Sequence, residues 1–255
     1  MAWPGRILLS SAVLFCWASG AQAEEFWVKV SNQDCTVWSD SALKDDEVLT
    51  WSGDCVDGRA SGSGTIEWFV DEKLKGTYEG GMRDGRLDGD GVLRVEEKQD
   101  GGFDRLEGTF IAGEPDGKAR FDAANGDMYE GGFQDGERHG IGYYRLVNGE
   151  EYFGDFEKGQ RHGTGLLIDA KGDAYLGEFE NGVAKGAGVF EGIDGSKYQG
   201  QFANGLPNGA GTYTAPNGDT YQGVFTAGKG NGKFVVPKKD GTQEVQDWKD
   251  GEMVK

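Results

Sequence analysis

Histidine, proline and cysteine are scarce in this 255-residue chain, with 2, 5 and 3 copies respectively. The shortage of histidine bears on catalysis. His139 and His162 are the only candidate imidazole bases, and an activated serine nucleophile would need one of them beside it. No third ligand stands at a spacing that would make the pair, or the cysteines, a zinc site, so no metal is expected. Positive charge is also short: 26 basic against 44 acidic residues give a net charge of −18. Such a surface repels phosphate backbones and anionic headgroups, which disfavours nucleic acid and acidic membrane as direct partners. Long hydrophobic runs are missing as well. The single apolar stretch, Ile7 to Trp17, is shorter than the roughly 20 residues that cross a bilayer.

That stretch reads as an address. Arg6 supplies a basic start, and Ala21-Gln22-Ala23 is an A-x-A cleavage signal, so residues 1–23 are expected to be a signal peptide and the mature chain to begin at Glu24. Val13-Leu14-Phe15 before Cys16 makes a poor lipobox. The expected location is periplasmic or secreted. Cys16 leaves with the signal, and Cys35 and Cys55 remain as an even pair in an oxidising compartment. They are expected to form one disulfide closing a loop of about 20 residues, worth on the order of 3 kcal/mol. The competing readings are two free thiols or two ligands of a metal site.

What the chain has in excess is glycine, 46 residues, together with 12% aromatics. Glycine alone would suggest disorder, but this many aromatics is too many for a solvated coil. Both types recur with a period of 23 residues. The unit from Tyr129 carries Gly131, Phe133, Gly136, Gly140 and Gly142, and units from Tyr152, Tyr175, Tyr198 and Tyr221 repeat those offsets. Weaker copies start at Trp51, Tyr78 and Leu106, and Glu244, Trp248 and Gly251 form a half unit.

Each unit reads as a β-hairpin. Tyr, Gly and Phe at positions 1, 3 and 5 share one strand face, a turn follows at Gly 8, and Gly, Gly and an apolar residue occupy positions 12, 14 and 16. Asn-Gly or Asp-Gly near position 21, as in Asn125-Gly126, Asn148-Gly149, Asp194-Gly195, Asn217-Gly218 and Asp240-Gly241, signals a hairpin turn in which both central residues take φ > 0. The strand glycines are expected to be notches into which a ring from a neighbouring strand lies flat. Other motif readings fail on context. The G-x-G pairs, such as Gly140 and Gly142, open no helix and lack the third glycine of a dinucleotide loop, and no EF-hand spacing accompanies Asn217-Gly218-Asp219. With 44 carboxylates a close pair would arise by chance, and none is marked out by breaking the repeat, so no enzyme is expected.

These residues resemble the MORN repeat, Y-x-G-x-[FW]-x-x-G-x-x-x-G-x-G, over roughly residues 51 to 251. Leu106, Cys55, Met82, Ala119, Phe234 and Glu244 depart from it, mainly towards the ends of the array. The resemblance implies an all-β fold, an elongated, twisted, single-layer antiparallel β-meander of tandem hairpins. The organisation expected is a signal peptide (1–23), an N-terminal β cap (24–50), eight repeats (51–243, starting at 51, 78, 106, 129, 152, 175, 198 and 221) and a degenerate half repeat (244–255). Arg-His before Gly is common in this family, which places His139 and His162 in turns. No cofactor is implied. The function expected is a non-catalytic exported scaffold whose partner is a protein or a second copy; the alternative is a lipid- or cell-wall-glycan-binding module. The stripe Tyr129, Phe133, Tyr152, Phe156, Tyr175, Phe179, Tyr198, Phe202, Tyr221 and Phe225 reads first as the core of the sheet, and the outer surfaces of its rings are the candidate binding face.

Overall fold

The computed structural model describes residues 26–39, 43–96, 102–238 and 241–254; the expected signal peptide lies outside them. No helix occurs among the described residues, and the strands follow one another in meander order. The chain divides into two compact units, Met1–Gly140 and Ile141–Lys255.

The first unit begins with β1 (Phe26–Lys29), β2 (Thr36–Ser39), β3 (Glu47–Trp51) and β4 (Asp54–Val56). The array continues through β5 (Arg59–Val70), β6 (Lys73–Arg83), β7 (Arg86–Glu96), β8 (Phe103–Ile111), β9 (Glu114–Asp122) and β10 (Met128–Gln134), while β11 (Glu137–Arg145) straddles the division. The second unit holds β12 (Glu151–Glu157), β13 (Gln160–Ile168), β14 (Ala174–Glu180), β15 (Val183–Glu191), β16 (Lys197–Ala203), β17 (Leu206–Thr214) and β18 (Thr220–Thr226). It ends with β19 (Lys229–Gly230), β20 (Gly232–Pro237), β21 (Gln243–Lys249) and β22 (Glu252–Met253). Consecutive strands pair antiparallel throughout the second unit from β12 to β19, and β20 continues the ladder against both β18 and β21.

Register explains why the 23-residue spacing folds this way. Position 1 of a unit faces position 16 across each strand pair, as in Tyr152↔Leu167 and Leu167↔Tyr175, and glycine faces glycine, as in Gly154↔Gly165 and Gly165↔Gly177. The tyrosine ring lies over the glycine pair of its own hairpin. A Cβ on Gly165 would sit 2.4 Å from Tyr152 Oη, and one on Gly154 2.6 Å from the same atom. The expected notch is therefore present, and the ring over Gly165 comes from the neighbouring strand of the same hairpin. Beyond the notch the register slips, between Gly154 and Asp155, because the second strand carries extra residues there. The tyrosine hydroxyl donates to the carbonyl three residues on: Tyr78 to Gly81 (2.9 Å), Tyr129 to Gly132 (2.8 Å), Tyr152 to Asp155 (2.9 Å), Tyr175 to Glu178 (3.1 Å) and Tyr198 to Gln201 (3.0 Å). The ring thus satisfies a polar group beside the bulge that its own glycines permit.

The glycines at position 12 have a different role. Gly163 has φ +54 and Gly140 φ +67, and a Cβ on Gly140 would meet nothing within 4 Å. Backbone conformation at the bulge selects glycine at Gly140, and at Gly163 a Cβ would in addition lie 2.5 Å from Asp155 Oδ2. The turns also correct the sequence expectation. Two successive positive φ values occur at positions 7 and 8, for example Asn181 (49°) and Gly182 (82°). At the Asn-Gly and Asp-Gly pairs near position 21 only the glycine has positive φ among the described residues, as at Gly149 (91°). Those connections are three-residue loops closed by Leu146 N–H to Glu150 O (2.8 Å), with Asn148 Oδ1 accepting from Glu150 N–H (2.9 Å). The type I′ geometry belongs to the X-Gly turns, and the asparagines hold their loops by side-chain acceptance.

Three departures from the repeat keep the notch filled. Leu106 brings no ring, and the Ala119 methyl occupies the space: a Cβ on Gly108 would lie 2.4 Å from it. At the first hairpin Trp51 covers Gly53 and Gly64, and its Nε1 donates to Asp54 O (3.0 Å), the same i+3 carbonyl that the tyrosines use. In the last full hairpin the Phe234 ring lies 2.7 Å from a Cβ position on Gly223. Tyr221 is displaced and lies against Tyr213 at 6.3 Å and 29°.

Residues 26–39 form a strap. β1 and β2 pair antiparallel, and β2 crosses the hairpin turns, with Thr36 N–H donating to Gly58 O (2.9 Å) and Trp38 N–H to Gly85 O (2.7 Å). Arg59 stacks 3.8 Å from the Trp27 ring and Arg86 4.6 Å from the Trp38 ring. The expected pin is present: Cys35 and Cys55 are disulfide-bonded, with Cα atoms 5.7 Å apart. The loop between the strap strands covers the free edge of β3. Asn32 pairs through its amide with the backbone of Trp51 (2.8 and 3.1 Å), and Ser31 N–H donates to Leu49 O (2.8 Å). A covered edge cannot recruit a stray strand.

Gly165→Ala forces the Tyr152 ring off its notch and should cost about 2 kcal/mol in urea unfolding. Adding Tyr152→Leu reproduces the Leu106 and Ala119 combination, so the double variant should lose clearly less than the sum of the two single losses. Strict additivity would contradict the notch. Replacing Cys35 and Cys55 by serine removes a cross-link between residues 20 apart. About 3 kcal/mol of stability should go with it, and an unchanged unfolding midpoint would show that the strap is held by its hydrogen bonds alone.

Candidate interaction surface

The aromatic stripe is largely occupied by packing. Tyr129, Tyr152, Phe156, Tyr175, Phe179, Tyr198, Phe202 and Phe225 are buried, and Phe133 and Tyr221 are half-buried. In the second unit Phe179 and Phe202 each meet two tyrosines edge-on. Phe179 lies 5.2 Å from both Tyr152 and Tyr175, and Phe202 lies 4.8 Å from Tyr175 and 5.1 Å from Tyr198. In the first unit Tyr78 meets Phe110 at 5.4 Å and Tyr129 meets Phe133 at 5.2 Å. Such contacts are worth roughly 0.5–1.5 kcal/mol each beyond area burial. A ring with one face on glycines and its edges on two phenylalanines has little surface left for a ligand. The buried members of the stripe are core. Tyr213, Tyr221 and Trp248 are its half-buried end, with Tyr221 and Trp248 5.7 Å apart.

Charged residues just after the turns are also committed, and His139 and His162 lie in β11 and β13 rather than in turns. Arg161 is buried, donates to Gly182 O (2.8 Å), lies 3.8 Å from Glu150 and has its guanidinium 5.3 Å from the Phe179 ring. Arg138, at the corresponding position, lies 5.7 Å from the Tyr129 ring. His162 Nε2 is 3.3 Å from Glu157. Among the described residues no group of three or more His, Cys, Asp or Glu gathers as a metal-binding set.

The opposite face of the sheet is where side chains are free. Residues at positions 2 and 15 point away from the rings, and the ladders line them up across strands. In the second unit one row runs Phe153↔Leu166↔Leu176↔Val189↔Gln199↔Thr212↔Gln222. Its first three members are 58%, 36% and 54% exposed. The equivalent row of the first unit is Glu79↔Val92↔Glu107↔Arg120↔Glu130, which is mostly charged.

Comparison with known families settles what kind of array this is. The model of the MORN repeat matches residues 78–94, 107–128, 129–151, 152–174, 175–197 and 198–220, just over half of the chain. The chain belongs to the MORN repeat family. MORN repeats mediate binding to proteins or to membrane lipids, and the all-β repeat is a binding type rather than an enzyme fold. No curated protein matches the chain. The hairpins at Trp51 and Tyr221 lie outside the matched spans, and they are the two in which Trp51 and Phe234 fill the notch in place of a tyrosine. Sequence reading overlooked Phe153, Leu166 and Leu176 because it followed the positions that recur. Their signal was the reverse: apolar residues where the MORN pattern leaves the choice open.

Burial sets the ionisation of the core tyrosines. Tyr78 is pushed up to about 12, by desolvation first and then by Asp88 and Asp90. Tyr175 is pushed up to about 12 by desolvation and Glu178. Desolvation likewise raises Tyr129, Tyr152 and Tyr198. Unfolded tyrosine titrates near 10, so at higher pH the unfolded chain loses protons that the folded chain keeps. Stability from these rings is complete below about pH 10 and is lost as pH rises towards 12. The urea midpoint should fall across that window, and the phenolate absorbance of these five tyrosines should appear together with loss of the near-ultraviolet dichroism. Full ionisation near pH 10 with native dichroism would refute the packing.

Proposed function

We propose that this MORN array is an exported, non-catalytic scaffold that acts by binding other polypeptides, or a second copy, in the periplasm or outside the cell. The observation that carries this reading is the division of labour between the two sheet faces. The recurring rings and glycines are used to make the fold, and the other face displays a surface that differs from unit to unit, apolar at Phe153, Leu166 and Leu176 and charged at Glu79, Glu107 and Glu130. A displayed, variable surface on a rigid sheet is what a binding protein needs and what a catalyst does not. The Cys35–Cys55 disulfide suits an oxidising compartment, in keeping with the A-x-A signal at Ala21-Gln22-Ala23. We count eight repeats from 51, 78, 106, 129, 152, 175, 198 and 221, with the strap before them and the half repeat after.

Lipid or cell-wall-glycan binding is the alternative reading, and one observation favours it. Tyr213, Tyr221 and Trp248 form a half-buried aromatic group that could stack on a sugar ring. A tagged full-length chain, cross-linked in intact cells and purified, should co-purify with one specific envelope protein or as a defined oligomer. Pelleting with peptidoglycan or vesicles, without any protein partner and with a strictly monomeric chain, would replace this reading by the alternative.

A further inference from the structure

We infer that the exposed row Phe153, Leu166 and Leu176 is a seat for a basic amphipathic helix of another polypeptide; this rests on the protein-binding reading above. The fold does not need apolar residues there. The equivalent row holds Glu107 and Glu130 in the first unit, and the second unit holds Gln199, Thr212 and Gln222 further along, where the hairpin of Gln199 and Thr212 keeps the same notch, bulge and ring. An exposed apolar row on a sheet that folds equally well with charges in that place marks an interaction surface.

Geometry selects the form of the partner. The row lies in mid-sheet, where β13 and β14 are hydrogen-bonded on both sides. No backbone group is on offer, so an extended peptide laid on this face would leave its own N–H and C=O groups unpaired. A helix satisfies its backbone internally and presents only side chains. Adjacent strands are about 4.8 Å apart and helix turns about 5.4 Å, so a helix crossing the strands can seat one apolar residue per turn on each successive strand. From Phe153 to Val189 the row covers four strands, roughly 15 Å or three helical turns.

Charge selects its composition. Two residues along each strand from the apolar row stand Glu151, Ile168, Ala174 and Glu191 on one side, and Asp155, Thr164, Glu178 and Ala187 on the other. Asp155 is fixed by accepting from Thr164 N–H (2.9 Å), Glu178 by accepting from Ala187 N–H (3.2 Å), and Glu191 pairs with Lys197 (2.6 Å). Carboxylates along both sides match lysine or arginine flanking the apolar stripe of a helix. They disfavour an anionic bilayer. They also disfavour a two-fold pairing of this face with itself, which would bring the carboxylates together.

The test uses the full mature chain and two labelled synthetic helices with one leucine per turn, one flanked by lysines and the other by glutamates. Fluorescence anisotropy should show the lysine peptide binding at least tenfold more tightly than the glutamate peptide. Leu166→Ser combined with Leu176→Ser, which changes no charge, should weaken the lysine peptide at least tenfold, whereas Thr212→Ser should leave it within twofold. Both variants should keep the wild-type dichroism, since the substituted side chains lie outside the core. Equal binding by wild type and the double-serine variant overturns the seat. So does loss, in that variant, of a wild-type dimer or of binding to vesicles of phosphatidylcholine, alone or with one quarter phosphatidylglycerol. If an envelope protein cross-links equally well to the double-serine variant, the seat is wrong but the scaffold reading stands; if neither chain captures one, both fail.

Discussion

One contact organises this protein: an aromatic ring lying on two glycines, with its polar tip bonded to the carbonyl three residues ahead. Tyr152 over Gly154 and Gly165, donating to Asp155 O at 2.9 Å, is the pattern. A single sheet has no second layer against which to bury its side chains. Removing two Cβ atoms makes a recess deep enough to take a ring into the sheet itself, and the bulge beyond it supplies the acceptor. The position-5 phenylalanines then wedge between successive rings, so each hairpin completes its burial only when its neighbours are present.

The irregular units show that filling the recess is the constraint, rather than tyrosine as such. Trp51 fills it and donates from Nε1, Ala119 fills it with a methyl where Leu106 has no ring to offer, and Phe234 fills it from the opposite strand. In the last case Tyr221 is set free and becomes part of a half-buried aromatic group. Packing density is preserved while the residue types change, as expected where an empty recess would cost its full cavity.

With the rings committed to the interior, the two faces answer to different demands. Positions on the ring face are fixed by volume, and positions on the other face are limited only by strand propensity and solubility. The charged row of the first unit and the aliphatic row of the second are both compatible with the same backbone. The strap adds a local protection. It covers the free edge of β3 with Ser31 and Asn32 and is tied to the array by the Cys35–Cys55 bond.

The 23-residue spacing of Tyr, Gly and Phe determined a great deal unaided: hairpins in meander order, antiparallel pairing, the ring-bearing face and the glycine notch. These follow from local rules, strand alternation and turn chemistry, which act between residues close in sequence. Tertiary structure decided what depends on which atoms meet. It filled the notch with the ring of the same hairpin, separated the spatial role of Gly165 from the conformational role of Gly140, and moved the paired positive φ values from the Asn-Gly pairs near position 21 to the turns at positions 7 and 8, such as Asn181-Gly182. It also buried Tyr129, Tyr152, Phe156, Tyr175, Phe179, Tyr198, Phe202 and Phe225 of the aromatic stripe and brought out Phe153, Leu166 and Leu176 on the other side. Recurrence in the sequence reports the residues that the fold requires. Residues that a partner would touch escape that requirement, and only the cross-strand register places them side by side.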